Sequence, residues 1–173
     1  MNGSTRPSKR GAPHLALACL LLFAAACAEA AHTCTVGIGN LSFGTYTGSR
    51  ITSSATMTIT CTLTSGGADR VAFTATLSTG AGSYTQRVLT HIGAPPDTLP
   101  YNLYLNTVPA VLNTNVWGDG SGGTVTATGT LVLNPATPTR SATFTVAGAI
   151  AAVPTLPTAG PYQDIVAGTV TYN

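Results

Sequence analysis

Beyond residue 30 the sequence contains no lysine and no glutamate. The charges left there are four arginines (Arg50, Arg70, Arg87, Arg140) and four aspartates (Asp69, Asp97, Asp119, Asp164), which cancel: 4 − 4 = 0. Phosphate-binding surfaces need a basic patch, so nucleic acid is excluded as a partner. Groups for catalysis are just as scarce. His32 sits where a new N-terminus would fray, His91 stands alone beside prolines, and no Gly-x-Ser-x-Gly is present. Cys34 and Cys61 are only two ligands, too few to hold zinc. Gly118-Asp119-Gly120-Ser121-Gly122-Gly123 offers one carboxylate, short of a calcium loop, and opens no strand–helix unit that would cradle phosphate. The expectation is no enzyme, no catalytic residue, no metal and no cofactor.

Long apolar runs are missing as well. Leu15 to Ala26 is the one continuous stretch, shorter than the roughly 20 residues a membrane helix needs. Behind the basic Arg6, Lys9 and Arg10, and followed by Ala28-Glu29-Ala30, it reads as a secretory signal peptide over 1–30. The domain is then 31–173, with no membrane span. Cys27 raises a lipoprotein alternative, although Ala24 stands where a lipobox has leucine. Of four cysteines, Cys19 and Cys27 leave with the signal. Cys34 and Cys61 remain as an even pair in an exported chain, which makes a disulfide the expected state.

What the sequence has in quantity is threonine, 31 in all. Ala55-Thr56-Met57-Thr58-Ile59-Thr60-Cys61-Thr62-Leu63 alternates strictly, apolar residues on one side and threonines on the other. A period of two over nine residues is a half-buried strand. The same alternation recurs over 71–77, 101–105, 124–133 and 142–146, with Cys34–Tyr46, Tyr84–Ile92 and Asp164–Tyr172 as further extended stretches. Glycine- and serine-rich turns separate them, and Ala94 to Pro100 reads as a loop barred from any central ladder by its prolines. Seven or eight short strands without helical periodicity predict an all-β sandwich. Trp117 is most simply a core or edge plug. With Tyr101 and Tyr104 it could instead form a stacking platform for a sugar, and the apolar loops 92–100 and 108–116 a sticky tip.

Four stretches in order carry a resemblance: Cys34-Thr35-Val36 with Phe43-Gly44-Thr45-Tyr46, the strand ending in Cys61, Tyr101-Asn102-Leu103-Tyr104 running to Trp117-Gly118-Asp119-Gly120, and Gly160-Pro161-Tyr162-Gln163-Asp164 before Val170-Thr171-Tyr172. Together they resemble the spore coat protein U domain family, which includes pilins of the archaic chaperone–usher systems of Gram-negative bacteria. The resemblance implies an immunoglobulin-like sandwich lacking its last strand. A periplasmic chaperone holds the open groove, and a donor strand from a neighbouring subunit fills it after delivery to an outer-membrane usher. Such a protein passes through the periplasm to the cell surface. Groove-lining residues are expected from the 55–63 strand and the final strand: Met57, Ile59, Val166, Val170 and Tyr172. Polymerising pilins carry a donor extension ahead of the first cysteine. Cleavage after Ala30 leaves three residues before Cys34, a reach of roughly 10 Å. This chain would then accept a strand without giving one, as a tip or minor subunit. The alternatives are a spore or cell coat protein that does not polymerise, and an adhesin that contacts its ligand through Trp117 and Tyr104.

Overall fold

A computed structural model describes residues 31–93 and 96–173. The expected signal peptide over 1–30 lies outside the described residues. Among the described residues nine strands follow one another: β1 (Ala31–Ile38), β2 (Ile51–Ser65), β3 (Asp69–Leu77), β4 (Arg87–His91), β5 (Thr98–Leu105), β6 (Ala127–Leu133), β7 (Thr139–Ile150), β8 (Tyr162–Gln163) and β9 (Gly168–Tyr172). They form two antiparallel sheets, β1-β2-β7-β5-β4-β8 and β6-β3-β9, packed as an immunoglobulin-like sandwich. The alternating strand is the spine of the larger sheet and runs longer than its period suggested. It pairs with β1 on one side and β7 on the other. Met57, Ile59 and Cys61 are fully buried against Val71, Phe73, Ala75 and Leu77 of β3. The threonines face outward in ranks, Thr60 bonded to Ser141 and Thr62 to Thr139 across the ladder.

Three expectations are corrected. His32 does not fray: it lies in β1, and its Nδ1 is 2.6 Å from Asp69 Oδ2 on β3. Pro100 is inside β5, a strand with neighbours on both sides. It pairs with Val88 of β4, while the β5–β7 ladder starts one residue later at Tyr101. Its missing N–H therefore falls where only one neighbour is bonded, which is how proline enters an inner strand. The last expected strand, Asp164–Tyr172, starts late: after Tyr162 and Gln163 pair with β4 in the larger sheet, Asp164–Ala167 carry the chain across, and only Gly168–Tyr172 form a strand in the smaller sheet.

Candidate functional site

Each sheet leaves one edge unpaired on the same flank of the sandwich: β1 in the larger sheet and β9 in the smaller. At one end the two edges meet through side chains, His32 stacking on Tyr172 with ring centroids 5.5 Å apart. Past Ile38 they part. From Asn40 to Tyr46 the chain runs outside any strand, and so does the facing stretch Asp164–Ala167. Between them lies a cavity of about 280 Å³, lined among others by Ile38, Leu41, Phe43, Leu103, Ile165 and Val166. It continues past the shared residues Leu41, Phe43 and Asp164 into one of about 600 Å³ beneath Tyr46, Leu156, Pro161 and Tyr162. Gly148 on β7 makes the floor possible, because a Cβ there would lie 2.8 Å from Phe43 Cζ and 3.0 Å from Leu41 Cδ1. At the mouth, Leu156 and Ile165 are 62% and 84% exposed.

Polar clasps hold the walls. Asp164 Oδ1 accepts the N–H groups of Ile165 (2.7 Å) and Ala81 (2.9 Å), and its Oδ2 accepts the Tyr101 hydroxyl at 2.7 Å. Burial, then this hydrogen bond, drives the Tyr101 phenol pKa upward, so Tyr101 remains a donor. The next wall residue, Ala167, is bonded twice to Ser78, by N–H to Oγ at 2.9 Å and through its carbonyl from Ser78 N–H at 2.8 Å. Behind Ser78 sits Arg87, fully buried, whose Nε and Nη2 both donate to the Ser78 carbonyl. Nη1 donates to Asn102 Oδ1 at 2.7 Å, and Nη2 also reaches the Trp117 carbonyl at 2.8 Å. Desolvation pushes the guanidinium pKa down, while Tyr101, Tyr84 and Asp164 push it back up.

The far wall, residues 156–162, is tied down by Asp97. Its carboxylate accepts the Thr158 N–H at 2.7 Å, the Thr98 N–H at 2.8 Å and the Tyr162 hydroxyl at 3.2 Å. The two backbone donors lower its pKa. A carboxyl that titrates below its unfolded value stabilises fully above that value and loses the effect as pH falls through the folded one. Acidification below the ordinary aspartate range, about 3.9, is expected to loosen this wall. Asp97→Asn should abolish that transition in a pH series of the Tyr162 ring NMR signals, and Asp119→Asn should leave it in place.

The structure brings some of the expected residues together and separates others. Cys34 and Cys61 are directly opposite in the β1–β2 register and are bridged. Val166 lines the cleft. Met57 and Ile59 are fully buried in the core, Val170 pairs with Ala75 and packs on that core, and Tyr172 lies on His32. Trp117 and Tyr104 are corrected as ligand contacts: at 0% and 1% exposure neither ring reaches solvent. Trp117 donates Nε1–H to the Ala75 carbonyl at 3.1 Å and packs edge-on to Phe144. Tyr104 belongs to a smaller core on the outer face of β5 and β7, covered by the 106–116 loop, and its hydroxyl accepts the Asn113 N–H. Trp117→Ala should therefore cost roughly 3–5 kcal/mol of stability in urea unfolding, as for other large core aromatics. Among the described residues no three His, Cys, Asp or Glu side chains converge on a metal position, and no helix is long and apolar enough to cross a membrane.

The cleft walls from Leu41, Phe43 and Leu156 to Asp164 did not stand out in the sequence. The signal that could have found them is the cluster of Pro154, Pro157 and Pro161 ahead of an isolated aspartate, a segment unable to form ladders but rich in apolar residues. Arg87 had one too: it is the sole Asp, Glu, Lys or Arg between Arg70 and Asp97. Comparison with known proteins gives one positive finding. A family model described as Spore Coat Protein U domain matches residues 20–169. No curated protein matches the chain.

Proposed function

The chain belongs to the Spore Coat Protein U domain family, a family associated with chaperone–usher surface structures, and from that premise we propose that it is a fibre subunit that accepts a donor strand. The observation that carries this reading is a cleft, lined largely by apolar side chains, that opens where the edges β1 and β9 part and that no other strand among the described residues covers. An extended segment laid there gains backbone hydrogen bonds from the edges and seats alternate side chains in the cleft, the physics of strand addition. A periplasmic chaperone would shield the same cleft until an outer-membrane usher delivers the subunit to its neighbour. The neutral, threonine-covered faces and the apolar rim of Leu156 and Ile165 suit a protein whose partner is another β-protein.

A minor or tip position is supported by where β1 begins. Residues from Ala31 onward are already part of the domain's own first strand, so after cleavage at Ala30 they are unavailable to a neighbour. The test adds a synthetic peptide of alternating apolar residues to the disulfide-bonded protein and follows its melting. At a peptide concentration a hundredfold above Kd, binding to the folded state alone contributes about 2.7 kcal/mol. The transition should then sharpen and move up. A cooperative transition that the peptide leaves unchanged would mean a complete sandwich, and a coat protein that does not polymerise would replace the fibre subunit.

A further inference from the structure

The open flank has two unlike halves. From Asn40 to Tyr46 it faces the cleft, but from Ala31 to Ile38 the edges β1 and β9 touch without a single ladder pair between them. Three contacts close that half. His32 stacks on Tyr172, and its Nδ1 binds Asp69 Oδ2, so one side chain on the larger sheet grips two strands of the smaller. At the other end Ile38 lies over Gly168 so closely that a Cβ there would collide with its Cδ1. Met57 Cε backs the same glycine at 3.0 Å from that position. Side chains rather than backbone bonds hold these edges, so they can part without breaking either sheet.

We infer that His32, Tyr172 and Ile38 form a latch that keeps half of the strand-accepting site shut. An incoming strand seats first along Asn40–Tyr46 and runs on beside β1 only when the latch opens. This rests on the strand-acceptor reading above and adds a rule about length: short segments bind without disturbing the latch, and long ones must open it. Ile38 marks the boundary, because it both covers Gly168 and lines the cleft.

The test compares two fluorescein-labelled peptides of alternating valine and threonine. At about 3.3 Å per residue, about six residues fill the open half and about twelve reach past Ile38 to β1. Association is followed by anisotropy with the wild-type protein, with His32→Ala/Tyr172→Ala and with Ile38→Ala. Loss of an aromatic stack and a hydrogen bond should speed binding of the long peptide about tenfold in the double variant. Ile38→Ala, at a partly exposed position, should speed it about threefold by the same conversion and decides the matter should the double variant not fold. The short peptide should bind wild type and His32→Ala/Tyr172→Ala at rates within about twofold, and Ile38→Ala, which also trims the cleft wall, is read as the ratio of its long- to short-peptide rates. Equal rates for the long peptide in wild type and variants would overturn the latch while leaving the acceptor reading intact. If neither peptide bound any of the three proteins, the acceptor reading would fail and the latch with it.

Discussion

Replacing Arg87 by alanine is expected to lower the thermal midpoint by about 10–15 °C, from roughly 3–5 kcal/mol of lost stability. A fully buried cation normally faces a carboxylate, whereas Arg87 has four hydrogen bonds to neutral oxygens: the Ser78 carbonyl twice, the Trp117 carbonyl and Asn102 Oδ1. Its removal leaves the Ser78 and Trp117 carbonyls without these donors and Asn102 Oδ1 with only the Leu103 N–H, and each buried orphan costs about 1–3 kcal/mol. Asn102 would feel the loss further out, because its Nδ2 donates to the Tyr84 carbonyl and to Asn113 Oδ1. Arg87→Lys keeps the charge but not the planar fork and should recover part of the loss. Arg87→Met keeps most of the volume without a donor and should be nearly as damaging as alanine. Arg140→Ala, on an exposed side chain, should stay within about 0.5 kcal/mol. A methionine variant as stable as wild type would show that these bonds hold nothing that packing does not.

The same substitution should reach the open edge. Arg87 holds the Ser78 carbonyl while Ser78 holds Ala167, the residue that leads into β9. Amide exchange over 167–170 should therefore accelerate in Arg87→Met more than exchange in β6, which lies on the other side of β3.

The strands were legible because their chemistry alternates with the pleat. Threonine at 56, 58, 60 and 62 opposite Met57, Ile59 and Cys61 leaves one way to fold, since a slip of one residue would bury the hydroxyls. Where a segment's neighbours are remote, the sequence was silent. Pro100 looked excluded from an inner strand because the staggered ends of β4 and β7 are a property of the sheet and not of the proline. Arg87 carried no local mark of burial among the four arginines, a type that is mostly exposed. Its acceptors come from positions 78, 102 and 117, and no local pattern predicts that convergence. The cleft was half-legible. Val166 belongs to a stretch that reads as extended, but Phe43 and Tyr162 face the cleft from segments with little or no ladder, where a period of two carries no information about which side is inside. Trp117 reads most simply as a core or edge plug, and its ring fills the core and ties its N–H to β3.

Removing the disulfide by a Cys34→Ala/Cys61→Ala double substitution should cost about 3.5 kcal/mol, close to 10 °C in midpoint. The bridge spans a sequence separation of 27 residues, and the chain-entropy model assigns that figure to a loop of this size. Entropy of the unfolded chain is only part of the expectation, because the position of the bridge matters as well. β1 is an edge strand with β2 as its sole ladder partner, and Cys34 sits in its middle, facing Cys61. Cys61 is fully buried, so the bridge fastens the edge directly to the core. Without it β1 is held by one ladder and by the His32 contacts with Asp69 and Tyr172. Two hydrogen-exchange outcomes separate these contributions. If the bridge acts only on the unfolded chain, every slowly exchanging amide should accelerate by the same factor, on the order of a few hundredfold. If it also holds the edge, amides paired between β1 and β2 should exchange through local opening, at a lower free energy than those between β2 and β7. We expect the second pattern, because the bridge joins the middle of an edge strand with one ladder partner to a fully buried residue of the core.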